Sequence, residues 1–285
     1  MPEFPIIDAH VHLWDPARYE IPWLRQVPAL NDRFELERYA EQTRGIEIEA
    51  FVYEEIDIAP DYRLLEVRQA DAYAAADPRL RGIVAAAPLE YGDQVGAYLA
   101  ALVAESPRVK GVRRLLQGEA DPEFCLRPGF VRGVELLAEL DLSFDICVYH
   151  PQLAGAVELV RRVPEVRFIL NHIGKPGIRD GLIEPWRTHV SELASLPNVA
   201  CKISGATTEA DLAAWTIDDV APYVLHVLDA FGEDRVMFAS DWPVVTQAAT
   251  YRRWEETVDT LTSDWSEPAK RKLWVENARN AYRLG

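Results

Sequence analysis

The chain has 285 residues, 49% hydrophobic and 27% charged, a composition that supports a large buried core and argues against extensive disorder. Acidic residues outnumber basic ones 46 to 30, for a net charge of -16, which disfavours nucleic acid or an anionic membrane surface as partner through a general positive field. Cys125, Cys147 and Cys201 form no Cys-x-x-Cys pair and no even-numbered disulfide framework, the N-terminus lacks a targeting pattern, and no apolar run approaches the roughly 18 residues of a membrane span, so a cytoplasmic protein acting on a small molecule is expected.

The first β-rich run, 5–11, carries His10 and His12 at its end. Residues two apart on a strand point to the same side, so both imidazoles converge at the strand's C-terminal edge. The connection that follows, 13–33, is unusually long and holds Trp14, Tyr19, Trp23 and Leu24; it is a candidate lid. The second run, 46–53, leads to Glu54, and apolar periodicity predicts a helix over 62–73. Runs at 82–87 and 109–115 follow, the latter containing Arg113 and Arg114, with a further helix at 133–140. The fifth run, 142–149, leads to His150. The sixth, 166–171, leads to His172 and Lys175. The seventh, 199–204, contains Lys202, for which burial with a carboxylate partner is expected. The eighth, 235–240, leads to Asp241 and Trp242. Two further histidines, His189 and His226, sit in helical patterns and are expected to be structural or on the surface. Cys147 and Cys201 lie inside apolar runs and are expected in the core.

Eight strand-helix units in unbroken alternation predict parallel strands joined by crossover helices, and eight strands close a barrel. The expected fold is a single (β/α)8 TIM barrel, one domain over 1–285. An open doubly wound sheet is the alternative, but no glycine-rich turn follows the first strand.

In such a barrel the chemistry gathers where strands end. Four of the six histidines fall there, together with Asp241. His10, His12, His172 and Asp241 form a donor set suited to zinc or manganese with a position left open for water, and a carboxylate beside that water can take its proton. Hydrolysis is the reaction that follows.

Ile7-Asp-Ala-His-Val-His-Leu-Trp-Asp-Pro16, Ile21-Pro-Trp-Leu24, Gly111-Val-Arg113, Asn171-His-Ile-Gly-Lys-Pro176, Cys201-Lys-Ile-Ser-Gly205, Phe238-Ala-Ser-Asp-Trp-Pro243 and Asn277-Ala-Arg-Asn-Ala-Tyr-Arg-Leu284 resemble the amidohydrolase-related branch of the amidohydrolase superfamily. That branch contains sugar-acid lactonases, L-fuconolactonase and L-rhamnono-lactonase among them, and 2-pyrone-4,6-dicarboxylate lactonase. The resemblance implies a lactone hydrolase in which Asp241 is the general base, His172 is a second catalytic group, and His10, His12, His172 and Asp241 hold a metal or polarise the lactone carbonyl. It implies one divalent metal, zinc first, or none: the fourth strand ends in Arg113-Arg114, where binuclear relatives need a bridging ligand. Arg113 is expected to meet the lactone carbonyl or a substrate carboxylate, and Arg114 stands where relatives often have histidine. His150, Lys175 and Glu54 are further candidate substrate contacts, and Trp14, Trp23 and Trp242 are candidate apolar walls against a sugar face. Two alternatives stand beside the lactonase: a metal-dependent decarboxylase of a carboxylated aromatic, and a non-catalytic metabolite-binding barrel. A homodimer is a further expectation.

Overall fold

A computed structural model describes residues 4–285. Strands β1 (Ile6–Val11), β2 (Ile48–Glu54), β3 (Leu80–Ala86), β4 (Val109–Arg113), β5 (Ser143–Ile146), β6 (Phe168–Leu170), β7 (Val199–Ile203) and β8 (Val236–Phe238) pair in parallel, in sequence order. They are almost wholly buried, because the barrel interior covers one face and the helical layer the other; this is why they read as apolar runs rather than as alternating ones. The seam between the first and last strands is closed just beyond β8. Val11 bridges Trp242 in parallel, and the His12 amide donates to the Trp242 carbonyl at 2.7 Å.

The helical layer comprises α1 (Leu36–Gln42), α2 (Arg63–Ala76), α3 (Gly96–Glu105), α4 (Pro128–Glu139), α5 (Leu153–Arg162), α6 (Trp186–Ala194), α7 (Ala206–Glu209), α8 (Ile217–Phe231), α9 (Tyr251–Leu261), α10 (Glu267–Arg271) and α11 (Asn277–Ala281). In α5 the buried stripe is Leu153, Ala156, Val157, Leu159 and Val160, while Arg161 and Arg162 end the helix where cations suit its dipole. The helix expected at 133–140 begins earlier, at Pro128, whose fixed φ suits the first helical position and whose missing N–H costs nothing there. His189 and His226 lie on α6 and α8, away from the strand ends, with His226 packed on Trp186. All three cysteines are free and buried. Among the described residues no helix is long and apolar enough to cross a membrane.

The 13–33 connection is a fixed wall rather than a loose flap. Trp14 and Phe34 exchange backbone hydrogen bonds at 2.7 and 2.8 Å, the Trp14 indole donates to the Leu30 and Asp32 carbonyls, and the Trp23 indole donates to the Ile56 carbonyl at 2.8 Å.

Candidate active site at the carboxyl rim of the barrel

The barrel seam assembles the site. Asp8, in the interior of β1, accepts from the His10 amide at 3.3 Å and from the Ser240 amide at 2.9 Å, so one carboxylate ties β1 to the segment after β8. Asp241 follows at φ 59, a left-handed conformation that costs a non-glycine residue on the order of 1 kcal/mol. His172, Ile173, Lys175 and Asp57 share that strain, with φ of 55, 49, 43 and 50. Such outliers persist where the surroundings over-determine them, and Asp57, His172, Lys175 and Asp241 among them line one cavity.

The cavity is lined by His12, Trp23, Ile56, Asp57, Arg113, Leu115, Gln117, Cys147, His172, Lys175, Asp241 and Val244. Asp241 faces three imidazoles, at 3.4 Å from His12 Nε2, 3.6 Å from His10 Nε2 and 3.8 Å from His172 Nδ1. Burial opposes its charge, but His172, His12 and Lys175 outweigh that and hold the carboxyl below its ordinary value. Asp241 is therefore an ionised carboxylate at neutral pH.

The proton positions on the histidines follow from their partners. Lys202, fully buried, donates to Glu54 Oε2 at 2.8 Å, to Asp145 Oδ2 at 2.7 Å and to His10 Nδ1 at 3.1 Å, one acceptor for each of its three hydrogens. Burial works against the Lys202 charge, but Asp145 and Glu54 raise its pKa above the ordinary value, so it remains a cation and a donor. His10, made neutral by burial and by the Lys202 charge, accordingly carries its proton on Nε2. His12 Nδ1 lies 2.9 Å from the Glu54 carbonyl, which can only accept, so His12 is protonated at Nδ1 and presents a lone pair at Nε2. The His10 N–H meets that lone pair at 3.1 Å. The chain of donors runs from Lys202 through His10 and His12 to a backbone carbonyl.

The Nε2 atoms of His10 and His12 and Oδ1 of Asp241 form a triangle with sides of 3.1, 3.4 and 3.6 Å, close to one face of a tetrahedral metal site. His12 and Asp241 offer lone pairs as they stand; His10 would have to give up its Nε2 proton. His172, expected among the ligands, is not part of this triangle; its Nδ1 lies 3.0 Å from Ser204 Oγ and 3.8 Å from Asp241 Oδ2.

Of the other expected site residues, Trp23, Arg113 and Lys175 line the cavity, and five do not. Glu54 is fully buried beneath the rim, bound to Lys202 and 3.3 Å from Arg113, and so cannot reach a sugar hydroxyl. Arg114 turns outward to Glu90 and Glu119, at 3.1 and 2.7 Å. His150 sits beyond the cavity beside Gly177. Trp14 and Trp242 are buried in an aromatic cluster with Phe34, and Trp242 also packs on Tyr39 at 5.3 Å, so both support the wall from behind. Ile56, Asp57, Leu115, Gln117 and Val244 line the cavity without having been singled out from the sequence, and Cys147, expected in the core, is buried and lines it as well. Each falls within a few residues after a strand end, the one signal that could have found them.

A family model described as amidohydrolase matches residues 7–284. The chain is similar to L-fucono-1,5-lactonase of Burkholderia ambifaria, at 32% identity over 98% of this chain and 95% of that protein. It is also similar to L-rhamnono-gamma-lactonase of Scheffersomyces stipitis, at 25% identity over 100% of both chains. A solved structure of an amidohydrolase from Burkholderia multivorans with bound zinc superposes with a TM-score of 0.89 at 29% identity, covering 99% of this chain and 100% of that one.

Proposed function

The chain belongs to the amidohydrolase family, and from that premise we propose that it is a hydrolase that opens the lactone of a sugar acid or related carboxylic acid. The observation that carries the reading is the Asp241 carboxylate, held ionised at the floor of a cavity lined also by two imidazoles, Arg113 and Lys175. Asp241 removes a proton from water as the water oxygen bonds to the lactone carbonyl carbon. The negative charge that develops on the carbonyl oxygen is met by the cations and by the His172 ring. Collapse breaks the ring C–O bond, and the alkoxide takes the proton held by Asp241, leaving a hydroxy acid that ionises.

A divalent ion, zinc by the histidine-rich donor set, would be held by His10, His12 and Asp241, and would lower the pKa of a bound water toward neutrality. The names of the lactonase relatives favour sugar-acid substrates. Incubation of the purified protein with a panel of aldonolactones should acidify an unbuffered solution above the spontaneous rate. Failure on the whole panel, at protein concentrations that exclude slow turnover, overturns the reading.

A further inference from the structure

Two cations line the cavity, and both are already opposed. Arg113 donates from Nε to Glu55 Oε1 at 2.5 Å and also stands 3.3 Å from Glu54; Lys175 lies 3.7 Å from Glu209. Asp57 is the reverse case. It lines the same cavity and is exposed, and its carboxylate accepts no hydrogen bond among the described residues. Its left-handed backbone, at φ 50, is held by the amide donating to Glu55 Oε2 at 2.7 Å. The same Glu55 thus pins Arg113 and sets Asp57. Elsewhere on the wall the Cys147 thiol approaches Gln117 Oε1 at 3.6 Å, which occupies the amide oxygen and leaves the Gln117 NH2 as the donor toward the cavity.

We infer that Asp57 is a specificity-determining residue: it accepts the hydroxyl hydrogens of a neutral, polyhydroxylated lactone and excludes lactones that carry a free carboxylate. The inference rests on the lactonase reading and deepens it. A carboxylate accepts from two adjacent hydroxyls at once, and the Gln117 NH2 complements it by donating to a hydroxyl oxygen. A substrate carboxylate would instead meet Asp57 and the ionised Asp241, with no unopposed cation lining the cavity to offset them.

The test is steady-state kinetics of the full-length protein and of Asp57→Asn and Asp57→Ala on three lactones. These are a six-carbon aldono-1,5-lactone, δ-valerolactone, which has the ring without hydroxyls, and muconolactone, which carries a carboxylate. Asparagine tolerates the left-handed backbone, so the first variant keeps the loop geometry. Asp57→Asn should raise KM for the aldonolactone about tenfold with kcat within about threefold, the loss of charge-assisted hydrogen bonds, and Asp57→Ala should raise it at least as much. Preference for the aldonolactone over δ-valerolactone should fall by a similar factor, and kcat/KM on muconolactone should rise several-fold. An unchanged aldonolactone KM in both variants overturns the inference and leaves the lactonase reading standing. So does a fall in kcat that is equal on the aldonolactone and δ-valerolactone, which marks general damage. Absence of turnover by the unaltered protein on all three overturns both.

Discussion

The Asp241 amide donates to the His10 carbonyl at 3.0 Å, so the backbone contact that closes the barrel also fixes the base against the imidazoles. Replacing Asp241 by Asn preserves this contact and the side-chain shape while removing the proton acceptor. Asp241→Asn should lower kcat by about 10² to 10⁴, the range for loss of a general base, with the midpoint of thermal unfolding within a few degrees of the parent. Initial rates of ring opening and a thermal melt check it together. Retention of more than about a tenth of kcat removes Asp241 from the role of base.

Lys202 is bonded to the two buried carboxylates of Glu54 and Asp145, and its third hydrogen sets the His10 tautomer. Lys202→Met leaves Glu54 and Asp145 facing each other without it. Breaking such a buried arrangement from one side costs about 3 to 5 kcal/mol, which lowers Tm by roughly 10 °C in a chain of this size. Tm measured at pH 7 decides this; a fall of less than about 2 °C would show that the barrel interior tolerates the bare carboxylates.

Three buried carboxyls are pushed up, each chiefly by burial: Asp8 to about 6, Glu54 to about 7 and Glu66 to about 8. Each folded pKa exceeds the unfolded value, so the folded chain binds these protons more tightly. Their contribution to stability is complete below about pH 4 and is lost as pH rises through the folded values. His10 and His172, held well below their ordinary value by burial, act in the opposite sense up to about pH 6.5, so the fall shows above that: from about pH 6.5 to 8 Tm should drop by roughly 5 °C. Carboxyls held low, such as Asp77, where Arg79 outweighs burial, act in the opposite sense only at lower pH. Glu66 Oε2 is buried with no hydrogen-bond partner, so Glu66→Gln should flatten the slope above about pH 6.5. A Tm that rises over this window, or a slope that the variant does not change, contradicts the assignment.

The eight strands were legible because a strand covered on both faces must be apolar along its whole length, and Pro or Gly marks its start. The histidines and Asp241 were legible because polar residues are costly at the end of such a run unless used. What the sequence does not carry is direction. Trp242 and Trp23 are both indoles near a strand end or in a rim loop, yet the first is held behind the wall by Tyr39 and Phe34 and the second faces the cavity. Glu54 and Asp57, three residues apart, divide in the same way: β2 turns Glu54 inward to Lys202, and the left-handed step at Asp57 turns its carboxylate out.

Removal of divalent ions should leave most of the activity. Asp241 is kept ionised by His172, His12 and Lys175, and His12 Nε2 already accepts a hydrogen bond from His10, so the base is in place without an ion. Metal content by elemental analysis, with ring-opening rates before and after prolonged chelation, provides the check. A metal-free protein with less than about a tenth of the original kcat, restored by zinc, would make the ion a working part of the site.

Gly205 packs against His172 so closely that an added Cβ would lie 2.5 Å from the His172 Cβ and 2.9 Å from its Cγ. His172 cannot retreat easily: its backbone is already strained at φ 55, and Ser204 holds its Nδ1 at 3.0 Å. Gly205→Ala should therefore displace the imidazole from Asp241 and lower kcat by about 10², the cost of a misplacement on the order of 1 Å. Alanine also pays for the left-handed backbone at φ 70, about 1 to 2 kcal/mol. Gly181→Ala separates the two effects, since Gly181 has φ 65 but nothing within 4 Å of the added Cβ. Both variants should lose a few degrees of Tm, and Gly205→Ala alone should lose kcat. Equal kcat in the two variants would show that the His172 position does not depend on the missing side chain at 205.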